Sequence, residues 1–448
     1  MEREPRLGSA LEEQVVTRVR EGRDELVGIL ADLIAFDTTA RLPGDPARDE
    51  TACQEYLRDL LAPADGGASQ CEADLWEPQP VGLQHPLLPD GLDFAGRPQL
   101  AVRLRGEGGG RSLLLNGHID AVSAEPLAKW TSDPFKAEIR DGQLYGRGSC
   151  DMKGGIADSL FALLILHRLG VHLAGDVVFC TNTDEESSGA GSYSCVERGV
   201  KADAGLCAEP TEFDAWIACR GAVNATITIE GRTGHAEMVH PGWREGGAVN
   251  AIEKLCIVLG GLRHVREDWR ARGDYTHPLL SPGDIVPTVV KGGEWMVTYP
   301  SSCELTLDLQ YLPAQVDAEG TGHAVFREVE RYVNAAAASD PWLAEHPLRW
   351  DWPGDIVPAE VPADAPIVLA ALRAGADVGH PGEIKGLDSW HDAAMYTRRA
   401  RTPTISFGPG GFRTAHTIDE CVPVDDLVDH AAAVALAVMR WCGVAGQA

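Results

Sequence analysis

Four short apolar runs are each followed closely by side chains that bind metals. SLLLN (112–116) leads into His118 and Asp120, and DVVFC (176–180) leads into Asp184, Glu185 and Glu186. GLCA (205–208) leads into Glu209, and TISF (404–407) passes through Gly-Pro-Gly-Gly toward His416. Asp151 stands in a glycine-rich loop between the first two runs. Runs this short, rich in Val, Ile, Leu and Phe, suit strands buried on both faces. In an open α/β sheet, ligands bind at the carboxyl ends of such strands. Desolvating this many acids without a cation would be very costly. The chemistry to expect is metal-assisted.

The donor types narrow the metal. Two imidazoles and three carboxylates with no thiolate suit zinc, cobalt or manganese rather than calcium or an iron–sulfur cluster. Five ligands are too many for one tetrahedral ion with an open position; they suit two ions about 3.5–4 Å apart. Asp120 lies two residues beyond His118, so on a strand both point the same way. Its carboxylate is expected to accept the imidazole's other N–H. Glu185 and Glu186 are adjacent, so one is expected to be a ligand. The other, in an acidic and partly dehydrated cleft, is expected to have a raised pKa and act as general base. His167, His172, His264 and His277 lack any such context and read as structural or surface residues. No strand–GxGxxG–helix unit, GK[ST] phosphate loop or GxSxG nucleophile elbow occurs.

These side chains must be positioned by a chain of 448 residues, enough for two or three domains. Hydrophobic residues make up 44% and charged residues 24%, as in ordinary globular proteins. The 67 acids against 39 Lys and Arg give a net charge of −28, which argues against nucleic-acid and anionic-membrane partners. No apolar run approaches the ~20 residues of a membrane span. The polar start MEREPRLGSALEE has no signal-peptide core, and the 11 cysteines form no CxxC pair, so a cytoplasmic location and buried free thiols are expected. Residues 11–35 and 156–169 carry helical apolar spacing, the second ended by Gly170, and 77–98 reads as irregular surface. Alternating strands and helices define an α/β class, with a largely parallel, mixed sheet covered by helices. Residues 222–231 and 302–311 instead alternate apolar and polar, with helices expected near 246–260 and 322–336. They predict a smaller α+β domain over 217–355, inserted between catalytic parts 1–216 and 356–448.

NGHIDAV (116–122), KWTSDPFKAEIRDGQLYGRGSCDMKGG (129–155), TDEESSG (183–189), CAEP (207–210), GRTGHA (231–236) and FGPGGFRTAHTIDE (407–420) together resemble the di-zinc amidohydrolases. That family holds acetylornithine deacetylase, succinyl-diaminopimelate desuccinylase, aminoacylase and glutamate carboxypeptidase. The resemblance implies two divalent ions, zinc foremost, bridged by Asp151. His118 and Glu209 would complete one ion, Glu186 and His416 the other, and Glu185 would be the base. It also implies a cis Asp151–Met152 peptide and a lid that forms a homodimer. His235 of the lid would steady the oxyanion in the partner's site.

The implied activity is hydrolysis of an amide in an N-acyl amino acid, with a carboxypeptidase or dipeptidase as the alternative. From another class, a non-catalytic metal-binding or regulatory dimer would keep the fold. The chain departs from the family where relatives carry Asn-x-x-Pro and, ten residues later, an arginine that help hold a substrate carboxylate. Val297, before Pro300, and Gln310 stand there instead. An amide is not an equivalent grip. GLDSWHDAAMY (386–396) replaces a short glycine-rich segment of the relatives, placing Trp390, His391 and Asp392 as candidates to line the substrate pocket.

Overall fold

The computed structural model describes residues 8–41, 45–46, 48–62, 71–85, 87–273 and 275–446. The first seven residues of the polar start lie outside the described residues. Every apolar run named above forms a strand or its immediate end. Leu113–His118 lies between Val177–Asn182 and Ala204–Cys207, parallel to both, and Thr404–Ser406 continues the parallel set beside Ala204–Cys207. Gln99–Leu104 and Cys71–Trp76 extend one side antiparallel. Ala215–Cys219 extends the other side and pairs with Ala359–Glu360 and Ile384–Leu387, giving nine strands in all among the described residues.

Side-chain alternation sends neighbours to opposite faces. Leu113, Leu115, Val177, Phe179 and Ile405 pack with Ala10–Glu21, Arg23–Ala35, Lys153–Arg168, Pro366–Asp377 and Val424–Cys442 in one large core. Leu114, Val178 and Cys180 face Cys195 and Tyr396 on the other side. The central strands are therefore apolar throughout.

The spacing at 11–35 is realised as two helices with a break at Gly22. A Cβ there would stand 2.4 Å from the Phe161 ring. Close packing of the Lys153–Arg168 helix against this corner decides the break.

The second sheet is four-stranded and antiparallel, in the order Asp284–Gly292, Ser302–Tyr311, Gly221–Glu230, Arg349–Asp351. Its alternating strands bury Val223, Ala225, Ile227, Leu305 and Leu307 against the helices Ala251–Arg272 and His323–Ala337. The strand Ala215–Cys219, which straddles the expected boundary at 216/217, belongs to the large sheet. The chain pairs with that sheet again at Ala359–Glu360. Asp284–Gly292 escaped sequence reading because it is an exposed edge strand, interrupted by a register shift at Pro287. Among the described residues, no helix is long and apolar enough to cross a membrane.

Candidate metal centre

The four parallel strand ends converge on one acidic cluster. His118 ends its strand, 1% exposed, and donates its Nδ1–H to the main-chain oxygen of Asp120 at 2.9 Å. That bond leaves Nε2 facing Asp151 Oδ1 at 3.2 Å, with Glu209 Oε1 and Glu185 Oε2 each at 3.9 Å. On the far side of Asp151, Oδ2 stands 3.3 Å from His416 Nε2, which lies 3.0 Å from Glu186 Oε1. Donor atoms of His118, Asp151 and Glu209 lie within 4.8 Å of one another, as do those of Asp151, Glu186 and His416. Two three-donor groups thus share Asp151. A third group, His118, Glu185 and Glu186, meets the same distance.

The charges in this cluster call for a cation. Burial, reinforced by the neighbouring acids, holds the Glu185 and Glu209 carboxyls well above the ordinary range. Burial also raises Glu186. Hydrogen bonding to Asp151 and Glu186 raises His416 to about 10. His118 is raised well above its ordinary value by Asp151 and the surrounding acids, against the opposing effect of its own burial. Protons here compensate a concentration of negative charge that divalent ions would neutralise better. The residues fit a pair of such ions.

Asp120 differs from its expected role. Its carboxylate Oδ1 is 3.7 Å from His118 Nδ1, too long for the bond its own main-chain oxygen makes. The carboxylate instead accepts the backbone N–H groups of Glu185 and Glu186, at 3.3 and 3.1 Å. The strand-to-loop turn brings the carbonyl, not the side chain, under the imidazole. Asp120 therefore orients the glutamate pair.

Further residues hold the cluster in place. The Glu420 carboxylate, 1% exposed, accepts the backbone N–H groups of Gly148, Cys150 and Asp151 and the Arg147 guanidinium, fixing the loop that presents Asp151. The Asp151–Met152 peptide is cis, as the resemblance implies. Lys153, fully buried, donates to the carbonyls of Leu33 and Phe36 and ties that loop to the preceding helix. Arg97 bridges Glu50 and Asp184, and Asp184 adopts φ 71° just before Glu185. Sequence reading assigned no role to Glu420, Arg147, Lys153, Arg97 or Glu50. Charged residues inside otherwise buried motifs, such as Arg147 and Lys153, were the available signal.

His235 is not brought into the cluster. It is exposed in the lid, where its Nδ1 accepts the N–H of Glu237 and its segment bridges Thr298. Val297 lies alongside, accepting the N–H of Ala236. Gln310 donates to the Asp308 carboxylate at 2.7 Å on the second sheet. Trp390, His391 and Asp392 are all buried near the strand ends. Trp390 donates to the carbonyl of Val357, His391 Nδ1 meets the Ser406 hydroxyl at 3.0 Å, and Asp392 accepts from Asn182.

A parallel sheet with paired metal-binding groups at its carboxyl edge, and a second small sheet beside it, defines a class of metal-dependent hydrolase. The chain belongs to peptidase family M20/M25/M40, whose model matches residues 114–440. It is 28% identical over 454 residues to N-formyl-4-amino-5-aminomethyl-2-methylpyrimidine deformylase of Halalkalibacterium halodurans, covering 96% of this chain and 97% of that one. It is 29% identical over 413 residues to succinyl-diaminopimelate desuccinylase of Methylobacterium radiotolerans, covering 89% and 95%. The dipeptidase Dug1p of Saccharomyces cerevisiae shares the fold at a TM-score of 0.70 and 15% identity, over 97% of this chain and 99% of that one. The protein is thus a metal-dependent enzyme that hydrolyses amide bonds, and its α/β architecture is that of the family.

Proposed function

We propose that the protein is a deacylase that removes a small acyl group, formyl foremost, from an amine lacking a carboxylate at the usual family position. The observation that carries this is Gln310. Where the resemblance leads one to expect an arginine gripping a substrate carboxylate, an amide is tied to Asp308. An acid at that place repels an anionic substrate group rather than holding it. The matched deformylase adds support, since it acts on a formylated aminopyrimidine by its name.

In this reading His118, Asp151 and Glu209 hold one divalent ion, and Asp151, Glu186 and His416 hold a second, zinc foremost with cobalt or manganese as substitutes. When bound, such ions polarise the amide carbonyl and acidify an attacking water. Glu185 takes the water's proton and returns it to the departing nitrogen. Asp120 holds Glu185 in register through its backbone N–H. His235 reaches a site only from the lid of a partner, so the working form is a homodimer. The exposed edge strand Asp284–Gly292, with Val286, Val289 and Val290 uncovered, is a surface suited to self-pairing. A cytoplasmic location suits the 11 free thiols.

The test is a panel of N-formyl amines, N-acyl amino acids and dipeptides with zinc-, cobalt- and manganese-loaded protein, read by amine release. Formamide turnover at least about tenfold above the other classes is expected. Preferred cleavage of dipeptides would make it a peptidase. Metal binding without turnover of any class would leave a non-catalytic dimer.

A further inference from the structure

Near the strand ends that carry the metal-binding residues, Nε1 of Trp216 and Nε2 of His391 are among the buried side-chain atoms with no hydrogen-bond partner among the described residues, as is Oδ1 of the adjacent Asp392. A buried polar atom without a partner costs free energy, so such atoms mark places where another molecule completes the bonding. The two nitrogens flank the same residue. Ser406 ends the strand Thr404–Ser406, its hydroxyl 3.0 Å from His391 Nδ1, and Trp216 stands opposite it in antiparallel register. Cross-strand partners put their side chains on one face, so indole and imidazole share this strand end.

The place is next to the chemistry. Ser406 pairs in parallel with Cys207, two residues before Glu209. The chain after Ser406 runs through Phe412 to His416. Phe412 is 37% exposed, and its ring centre lies 5.2 Å from that of Trp216, so the two rings continue from the strand end to the surface. The indole can only donate, and the imidazole donates from Nε2 when Ser406 donates to Nδ1. Burial lowers the His391 pKa to about 4, so the ring is neutral at physiological pH. Lys385, which pairs with Trp216 on the neighbouring strand, is engaged by Asp214.

We infer that Trp216 and His391 form a specificity subsite that donates hydrogen bonds to a planar, uncharged, acceptor-bearing ring on the substrate amine. This rests on the deacylase reading above and narrows its substrate to heteroaromatic amines. A site that pairs polar groups with its substrate discriminates strongly against an analogue lacking them, because its own donors are then left unpaired.

The experiment compares N-formyl-4-aminopyrimidine with N-formylaniline, which has the same shape without ring acceptors, on the metal-loaded enzyme. Wild type should favour the pyrimidine by at least about tenfold in kcat/KM, a plausible worth for such hydrogen bonds. Trp216→Phe and His391→Asn should each erase most of that preference through KM, with the bound metal retained. Asn keeps the atom that meets Ser406 but none at the Nε2 position; His391→Gln supplies an amide there and should restore part of the preference. Rescue by Asn rather than Gln would assign His391 a structural role through Ser406 and overturn the inference. An unchanged preference in both variants would also overturn it, leaving a buried water as the partner. If wild type hydrolyses neither formamide, the deacylase reading fails, yet the subsite is still read by calorimetric binding of 4-aminopyrimidine. Weakening of that binding about tenfold by either variant supports the subsite; equal binding sinks it. Either variant suffices if the other does not fold.

Discussion

Replacing Glu420 by glutamine perturbs the loop that presents Asp151 without touching the metal-binding groups. Glu420 Oε1 accepts the N–H groups of Cys150 and Asp151 at 2.9 and 3.0 Å, and Oε2 accepts the Arg147 guanidinium at 2.6 Å and the Gly148 N–H at 3.1 Å. Glutamine has one oxygen. If it keeps the Cys150 and Asp151 pair, its NH2 faces two further donors, and Arg147, 2% exposed, is left as a buried charge without its counter-ion. A lost charge-assisted bond is worth about 1.5–3 kcal/mol and an orphaned N–H about 1–3 kcal/mol. Breaking a buried ion pair on one side costs about 3–5 kcal/mol. The expected destabilisation is therefore about 3–5 kcal/mol. Urea unfolding of metal-free protein, followed by circular dichroism, measures it. The double variant with Arg147→Met should recover a large part, because the uncompensated charge is gone. A loss below about 1 kcal/mol, with no recovery in the double variant, would refute the view that Glu420 clamps this loop.

Glu185→Gln should retain the bound metal and lose at least about 100-fold in turnover, the scale of general acid–base removal; near-normal turnover would take Glu185 out of the base role. Asp151→Asn should lower bound metal from about two ions per chain to one or fewer, because Asp151 serves both groups, and elemental analysis after dialysis checks it. His391 should make stability pH-dependent. Its folded pKa of about 4 lies below the ordinary 6.5, so the unfolded chain binds the extra proton between those values, and stability falls as pH drops from 6.5 toward 4. The contribution is about 3 kcal/mol at 1.36 kcal/mol per pKa unit. Between pH 7 and pH 5, urea unfolding should show wild type losing about 2 kcal/mol more unfolding free energy than His391→Asn, since pH 5 lies about 1.5 below the ordinary pKa of 6.5; parallel behaviour would place His391 outside the linkage.

The strand ends and the metal-binding groups they carry are legible in residue order alone. Short apolar runs rich in Val, Ile, Leu and Phe suit strands covered on both sides, and acids and imidazoles just beyond them are expected at the sheet's carboxyl edge. The alternating strands 222–231 and 302–311 marked the second sheet for the same local reason, a period of two. What local pattern could not supply was long-range partnership. Glu420 reaches Arg147 and the Asp151 loop across about 270 residues of chain, and Arg97 joins Glu50 to Asp184 from an irregular segment. The two-residue spacing predicts the Asp120 carboxylate beside the His118 imidazole, but the strand ends at His118, and the turn there puts the Asp120 carbonyl under the imidazole and gives its carboxylate to the backbone of Glu185 and Glu186. The helix break at Gly22 follows from the Phe161 ring across the core. Spacing along the chain fixes which side chains share a face. Only packing fixes which buried donor faces which acceptor, because that depends on distances between segments that no local period encodes.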